Sequence, residues 1–297
     1  MRVLAVAVTY NPDIPLLVQA FGALAPQVEG IAVVDNGSSN AEEVQRVASD
    51  AGATLVASSE NLGIAAAQNR GIALARAGGF SHALLLDQDT VLGPGTVASL
   101  ADGLRLVEES HGNVAAIGPA YYELNSQTQT RAYRAHGLRL LRLSLRGEKR
   151  PLASDFIIAS GSLIPLSVFD TVGPFREDLF IDLVDVEWCF RARAAGYKSF
   201  LAPTATVEHR LGRGVVRVGT RQIAIHVPVR NYYWVRNALW LARQPYTPPA
   251  WRLYFLSRCA AFLATYTTLA DKRALRLRLI AKGIRDGLRS RLGSLEG

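Results

Sequence analysis

Near the N-terminus, apolar residues come in short uninterrupted runs, and each run stops at a polar, turn-forming cluster. Arg2–Val8 predicts a first strand, halted by Asn11 and Pro12, and Ile14–Leu24 a helix. Ile31–Val34 predicts a second strand that ends in Asp35-Asn-Gly-Ser-Ser39, Ala41–Ala51 a helix, and Thr54–Ala57 a third strand. Asn61 stands where it can cap an alanine-rich helix running through Arg70. Ala83–Leu86 is a fourth apolar run; Gly93-Pro-Gly95 opens a further helix, and Val114–Gly118 is a fifth strand. Strands buried on both faces read as continuous apolar runs, and their alternation with helices predicts a parallel, doubly wound α/β sheet.

The pattern then changes. Residues 120–150 show no clear period and carry Arg131, Arg134, Arg139, Arg142 and Arg146, while Phe156–Leu163 regains strand character around Ser160-Gly161-Ser162. Asp182, Asp185 and Glu187 lead a helix that carries Arg191 and Arg193 toward its end, the charge order that suits a helix dipole. Yet Asp182 and Asp185 lie among Phe180, Ile181, Leu183 and Val184, and carboxylates in apolar company usually have a partner or a task. Lys198–Ala202 predicts a short strand. Helical periodicity fills the rest, over Asn231–Leu241, Trp251–Leu269 and Arg273–Leu292, broken at Pro245–Pro249.

Composition narrows the class. The 297 residues are 49% hydrophobic and 20% charged, enough for a large folded core. Cys189 and Cys259 lie far apart without a CxxC, which points to neither a zinc site nor a disulfide scaffold and fits a reducing cytosol. The apolar run Val3–Val8 is too short for a secretory signal, and no run reaches the ~20 residues of a membrane-spanning helix. The net charge of +8 is unevenly placed: residues 1–209 carry −6 and residues 210–297 carry +14. A segment so basic implies a negative partner. In the last helix Leu275, Leu277, Leu279, Ile280, Ile284 and Leu288 alternate with Arg276, Arg278, Lys282, Arg285, Arg289 and Arg291, the make-up of a helix on an anionic membrane surface. A helix packed on its own domain with a solvated basic face is an equal alternative. No nucleic-acid-binding module is recognisable, so no nucleic-acid partner is expected.

The candidate chemistry sits where the fourth strand runs out. In open α/β sheets ligands bind beyond the carboxyl ends of the strands, and Asp87 and Asp89 stand there at alternate positions. Paired carboxylates suit a hard divalent cation, Mg²⁺ or Mn²⁺. The loops after Val8, Val34 and Leu86 converge on the same edge, without a Walker loop or GxGxxG turn, which argues against P-loop ATPases and NAD enzymes. Gly212-Arg213-Gly214 with Arg217 forms a basic loop suited to covering phosphates, and a lone His209 is on its own an ordinary structural histidine.

Taken in order, Val8-Thr-Tyr-Asn-Pro12, Val34-Asp-Asn-Gly-Ser38, Asn61-Leu-Gly-Ile-Ala65, Leu85-Leu-Asp-Gln-Asp89, Ser160-Gly-Ser162, Phe180-Ile-Asp-Leu-Val-Asp-Val-Glu187, Glu208-His-Arg-Leu-Gly212 and Arg230-Asn-Tyr-Tyr233 resemble the family-2 glycosyltransferases. Within them, the wording is most similar to the bacterial rhamnosyltransferases that use dTDP-L-rhamnose. The resemblance runs from Val3 to about Asn237. It implies a GT-A fold, a Rossmann-like, mostly parallel sheet with flanking helices. A catalytic domain would span 1–225, with a nucleotide-sugar half to about 118 and an acceptor half beyond it, and a basic helical extension would occupy 226–297.

The same resemblance assigns roles. Thr9, Tyr10, Asn11 and Asp35 would hold the nucleotide, with Asn61, Gly63, Asn69, Gln88 and Arg213 also on the donor side. Asp87 would sit at the ribose, and Asp89, His209 and Asp87 at the metal. Asp185 would be the general base; Val184 replaces an acid common in this family, which leaves Asp182 as substitute or helper. Gly161, Ser162 and Trp188 fall on the acceptor side, though Trp188 reads equally well as core. One base suffices for inversion, so a β-linked donor would give an α-L-rhamnoside. The implied acceptor is a lipid-linked glycan or glycolipid, met by a peripheral enzyme at the cytoplasmic face of the bacterial inner membrane. Three alternatives stay open: a UDP-hexose or UDP-galactofuranose donor, a non-catalytic carbohydrate- or membrane-binding module, and a nucleotidyltransferase.

Overall fold

Alternation of apolar runs with helices is realised closely in the computed structural model, which describes residues 1–123, 128–209, 215–218, 221–224, 227–268 and 271–295. In chain order the elements begin β1 (Val3–Thr9), α1 (Ile14–Leu24), β2 (Gly30–Asp35), α2 (Ala41–Asp50), β3 (Thr54–Ala57), α3 (Ile64–Ala77), β4 (His82–Asp87), β5 (Val91–Leu92) and α4 (Thr96–His111). They continue with β6 (Val114–Glu123), β7 (Thr128–Gln129), β8 (Arg131–His136), β9 (Arg139–Ser144), β10 (Leu152–Ser154), β11 (Leu163–Pro165), α5 (Val168–Val172) and α6 (Val184–Ala194). Then follow β12 (Lys198–His209), β13 (Val215–Val218), β14 (Arg221–Ala224), α7 (Pro228–Leu241), α8 (Pro249–Thr268) and α9 (Arg273–Leu288).

One sheet dominates, in the order β10-β12-β6-β11-β4-β1-β2-β3, with β5 paired to β12 and β7 to β6. The long strands β1, β2, β3, β4, β6 and β12 run the same way, while the short β5, β7, β10 and β11 run against them. In β1 the side chains alternate between two cores, as a period of two requires. Val3, Ala5 and Ala7 face Leu17, Phe21 and Leu100 of α1 and α4; Leu4 and Val6 face the layer that holds Ile72, Trp188 and Trp240.

Several expectations need correction. Residues 156–162 are not a strand; the extended segment is β11, just beyond them. The unplaced region holds a hairpin, β8 paired antiparallel with β9, whose alternate exposed positions hid its apolar face among arginines. Strand β12 runs well past Ala202 and carries a register irregularity between Ala202 and Thr206. Asp182 lies outside helix α6, two residues before its start.

Helices α7, α8 and α9 pack together and onto the sheet layer. Tyr232 and Tyr233, with Trp240, are buried in α7, and Trp251 and Phe255 in α8. Helix α9 lies against α7 through Arg276, Ile280, Gly283, Asp286 and Gly287. A Cβ on Gly283 would stand 2.7 Å from the Tyr232 carbonyl oxygen, and one on Gly287 2.7 Å from that of Arg236. Only glycine permits so close a crossing.

Candidate active site

Three loops at the carboxyl ends of β1, β2 and β4 are stitched into one floor. The Thr9 hydroxyl donates to Asp35 Oδ1 (2.8 Å), and the Ser38 amide donates to Asp35 Oδ2 (3.0 Å), so the nearly fully buried Asp35 carboxylate organises the turn. The Tyr10 amide donates to Gln88 Oε1 (2.7 Å), which ties the first loop to the third. Asn11 Oδ1 accepts from the Ser39 amide (2.7 Å), while the Tyr10 ring is exposed at the rim. Asn61 Oδ1 accepts from the Gly63 amide and from Asn36 Nδ2, both at 2.9 Å. Asn61 therefore closes a turn; the cap position of α3 belongs to Gly63. Gly63 has φ +86°, and a Cβ there would lie 2.6 Å from the Phe180 carbonyl oxygen.

The acidic edge follows β4. Asp87 is half-buried and Asp89 exposed. The Asp87 amide donates to Ser160 Oγ (2.9 Å), Ser160 Oγ also bonds the Thr90 hydroxyl (2.7 Å), and the buried Tyr121 hydroxyl donates to the Ser160 carbonyl. Burial raises the Tyr121 pKa above the usual phenol range, and the charges of Asp87, Asp185 and Asp89 add to it, so three carboxylates lie within electrostatic reach of one hydroxyl. Pairing of Val207 with Leu92 and of Glu208 with Val91 brings the end of β12 beside the Asp89 turn. The backbone of His209 is thereby delivered to that turn; its side chain, and all of Arg213, lie outside the described residues. Among the described residues no three acidic, histidine or cysteine side chains gather into a metal-binding group.

Asp185 sits in the first turn of α6, half-buried. Its Oδ1 accepts from the Val186 amide (2.8 Å) and its Oδ2 from the Ala159 amide (3.2 Å). Burial pushes its pKa up to about 6 and the Asp182 charge adds to that, while the two amide bonds act against it. A carboxyl so tuned is ionised at neutral pH yet basic enough to take a proton. Asp182 is placed differently. Both its oxygens are gripped by Arg230, through Nε to Oδ2 at 3.0 Å and a second guanidinium nitrogen to Oδ1. This ion pair argues against Asp182 as a substitute base, and its charge acts on Asp185. Phe180, Asp182 and Leu183 all have left-handed backbones (φ 64°, 69° and 62°), a conformation that costs of order 1–3 kcal/mol per residue.

The sequence profile described as Glycosyl transferase family 2 matches residues 5–173, more than half of the chain. The chain belongs to this family. It is 31% identical over 273 residues to the dTDP-rhamnosyl transferase RfbF of Shigella flexneri, covering 90% of this chain and 88% of that one. Among solved structures, TarS residues 1–349 of S. aureus aligns with a TM-score of 0.60 at 14% identity, over 98% of this chain and 82% of that one. GalNAc-T7, solved with UDP, GalNAc and Mn²⁺, aligns with a TM-score of 0.56 at 12% identity; 91% of this chain is covered, and it spans only 58% of that chain. At such identities these likenesses speak for the fold, and they are GT-A-like, as expected.

In this glycosyltransferase, four expected contact residues turn inward. Asn69 spends its amide on the Phe175 backbone and on Glu177 Oε1 (2.9–3.0 Å), stapling α3 to the 173–177 loop. Trp188 is 1% exposed, its indole N–H donates to the Gly173 carbonyl (3.0 Å), and Phe169 and Phe175 pack on it; it is core, not an acceptor wall. Gly161 and Ser162 are buried beneath the floor, exchanging backbone hydrogen bonds with Leu85 (2.6 and 3.0 Å). Arg230 and Asn237 were not singled out from the sequence as site residues. The signal was their seven-residue spacing, which places both polar side chains on one face of a helix rich in aromatic and apolar residues.

Proposed function

We propose that the enzyme moves L-rhamnose from dTDP-β-L-rhamnose to a hydroxyl of a lipid-linked glycan or glycolipid, with inversion. The observation that carries this reading is Asp185, a half-buried carboxyl with a raised pKa, within electrostatic reach of the same Tyr121 hydroxyl as Asp87 and Asp89. Asp185 takes the proton of the acceptor hydroxyl as its oxygen bonds to the anomeric carbon; the bond from that carbon to the diphosphate oxygen breaks, and dTDP leaves with the electron pair. The dTDP-rhamnosyl name of the Shigella relative favours rhamnose. The UDP and UDP-GlcNAc complexes of TarS keep a UDP-sugar as the second donor reading.

Asp87, Asp89 and His209 would hold a divalent ion, a hard-oxygen and imidazole set that fits Mg²⁺ or Mn²⁺; the GalNAc-T7 structure contains Mn²⁺. When bound, such an ion would supply positive charge to the diphosphate as the sugar departs. Thr9, Tyr10, Asn11 and Gln88 shape the pocket for the nucleotide. Residues 1–225 form the catalytic unit, and 226–297 its helical extension.

The extension also supplies the membrane surface. No helix among the described residues is long and apolar enough to cross a bilayer. Instead, Leu253, Leu256 and Leu263 of α8 and Leu275, Leu277 and Leu288 of α9 are exposed, amid exposed Arg258, Arg273, Arg278 and Arg289. This mix of apolar and basic side chains suits an anionic, cytoplasmic leaflet.

The test is release of free nucleotide diphosphate from a donor panel with and without EDTA. EDTA-sensitive release of dTDP from dTDP-rhamnose is expected. Preferential release of UDP overturns the rhamnosyl reading and leaves the fold and the base in place.

A further inference from the structure

Residues 178–183, which lead into the helix bearing Asp185, are held from one side by a row of α7 side chains. Asn237 Nδ2 lies 3.0 Å from the Leu179 carbonyl, 2.9 Å from that of Ile181 and 2.8 Å from that of Asp182. An amide carries only two N–H donors, so these three acceptors share them. Arg236 is fully buried; its Nε donates to Asn237 Oδ1 (2.9 Å), which fixes the amide with its nitrogen toward the loop. Its Nη2 donates to the Leu179 carbonyl (2.8 Å). One turn earlier the Tyr233 ring stacks on Phe180 (5.0 Å between centroids), and two turns earlier Arg230 grips Asp182.

From the other side, the Phe180 carbonyl accepts from the Ile64 amide (2.7 Å) over the space that Gly63 leaves open. The brace continues through the chain: the Gly293 amide donates to the Asp178 carbonyl (2.6 Å), and the Leu295 amide to the Tyr233 hydroxyl (2.7 Å). Three left-handed residues in a four-residue stretch without glycine do not hold themselves. The side chains of α7 hold them.

We propose that Asn237 is a positioning residue for transfer: by binding three carbonyls of the 179–182 segment it fixes the backbone that delivers Asp185 to the acceptor hydroxyl. The inference rests on Asp185 being the general base. The charged and titratable groups around Asp185 are Asp182 from the segment itself, Arg230 from α7, Tyr121 from β6, and Glu187 and Cys189 along α6. Release of the segment would carry Asp182 away from Asp185 and admit water.

The test compares Asn237→Ala with wild type and Asp185→Asn, using single-turnover transfer, donor affinity by calorimetry and the pH profile of kcat. Asn237→Ala is expected to keep donor affinity within about twofold and lose roughly 10- to 100-fold in kcat. The acid limb of its profile should move to lower pH by about half a unit or more, toward an ordinary carboxyl. Wild-type kcat with an unmoved limb, or a loss matched by lost donor affinity, overturns the inference. Should Asn237→Ala not fold, Arg236→Lys, which removes the Nε bond to Asn237 and keeps the charge, is read by the same criteria. Turnover surviving in Asp185→Asn overturns the base assignment, and this inference with it; an inactive Asp185→Asn beside an unaffected Asn237→Ala overturns the inference alone.

Discussion

As the proposed base, Asp185 would set the acid limb of activity, and its burial bears on stability as well. With its pKa near 6, Asp185 is mostly ionised at pH 7 and mostly protonated at pH 5. Transfer at saturating substrate should therefore fall as pH drops through about 6, and Asp185→Asn should lose roughly 10²–10⁴-fold in kcat, measured by product formation at pH 7.5. The same shift has a thermodynamic side. The folded pKa lies above the ordinary 3.8, so the folded state binds the proton more tightly than the unfolded chain does. Asp185 is thus most favourable to folding below pH 3.8, and that contribution is lost as pH rises through about 6, a difference on the order of 2–3 kcal/mol. Asp185→Asn should accordingly raise the melting temperature at pH 8 and raise it much less at pH 4.5. An equal rise at both values would mean that burial does not set the pKa. The sequence exposed this residue through its apolar neighbours, but not the division of labour with Asp182. That depends on Arg230, which is 48 residues away in the chain and meets Asp182 only after folding.

At the scale of elements, the N-terminal half was legible because its strands are buried on both faces and stop at turn residues. Thr54–Ala57 matched residue for residue, and Ile14–Leu24 likewise. Periodicity failed where one face of a ribbon meets solvent, as in β8 and β9, and where backbone, not side chain, makes the structure, as in residues 156–162. The crossing of α9 over α7 also escaped notice, because Gly283 and Gly287 read as weak points in a helix and not as its contact surface. Gly287→Leu should force α9 off the Arg236 carbonyl at a cost of about 1–3 kcal/mol by chemical denaturation. Since α7 holds the catalytic segment, turnover should fall with it. Gly293→Ala, at a position with open space around its Cα but φ +101°, is the milder control.

For the molecule as a whole, the basic C-terminal portion has two faces. One carries the buried Arg236 and Arg276, whose guanidinium groups are spent on internal partners: Arg276 on Asn231 Oδ1 (2.6 Å) and Asp271 Oδ1 (2.7 Å). The other carries the exposed arginines and leucines of α8 and α9. Counting charge along the sequence could not separate them. Binding to vesicles containing anionic lipid should weaken steeply between low and physiological salt. Charge reversal at Arg278 and Arg289 should weaken it further while the melting temperature stays put. Salt-insensitive binding, or none, would discard the membrane surface. Deletion of residues 271–297 is a poor substitute, because it removes the contacts of Gly293 and Leu295 and should abolish turnover even on a water-soluble acceptor.

Those two contacts also bear on how the enzyme is made. The loops of its nucleotide floor come from the first ninety or so residues, and the Ser160–Ser162 segment that supports them follows about seventy residues later. The segment before Asp185 can be gripped by α7 first, but its brace is complete only when residues 273–295 have left the ribosome and closed back over α7. Full bracing of the catalytic segment would thus arrive only with the last helix.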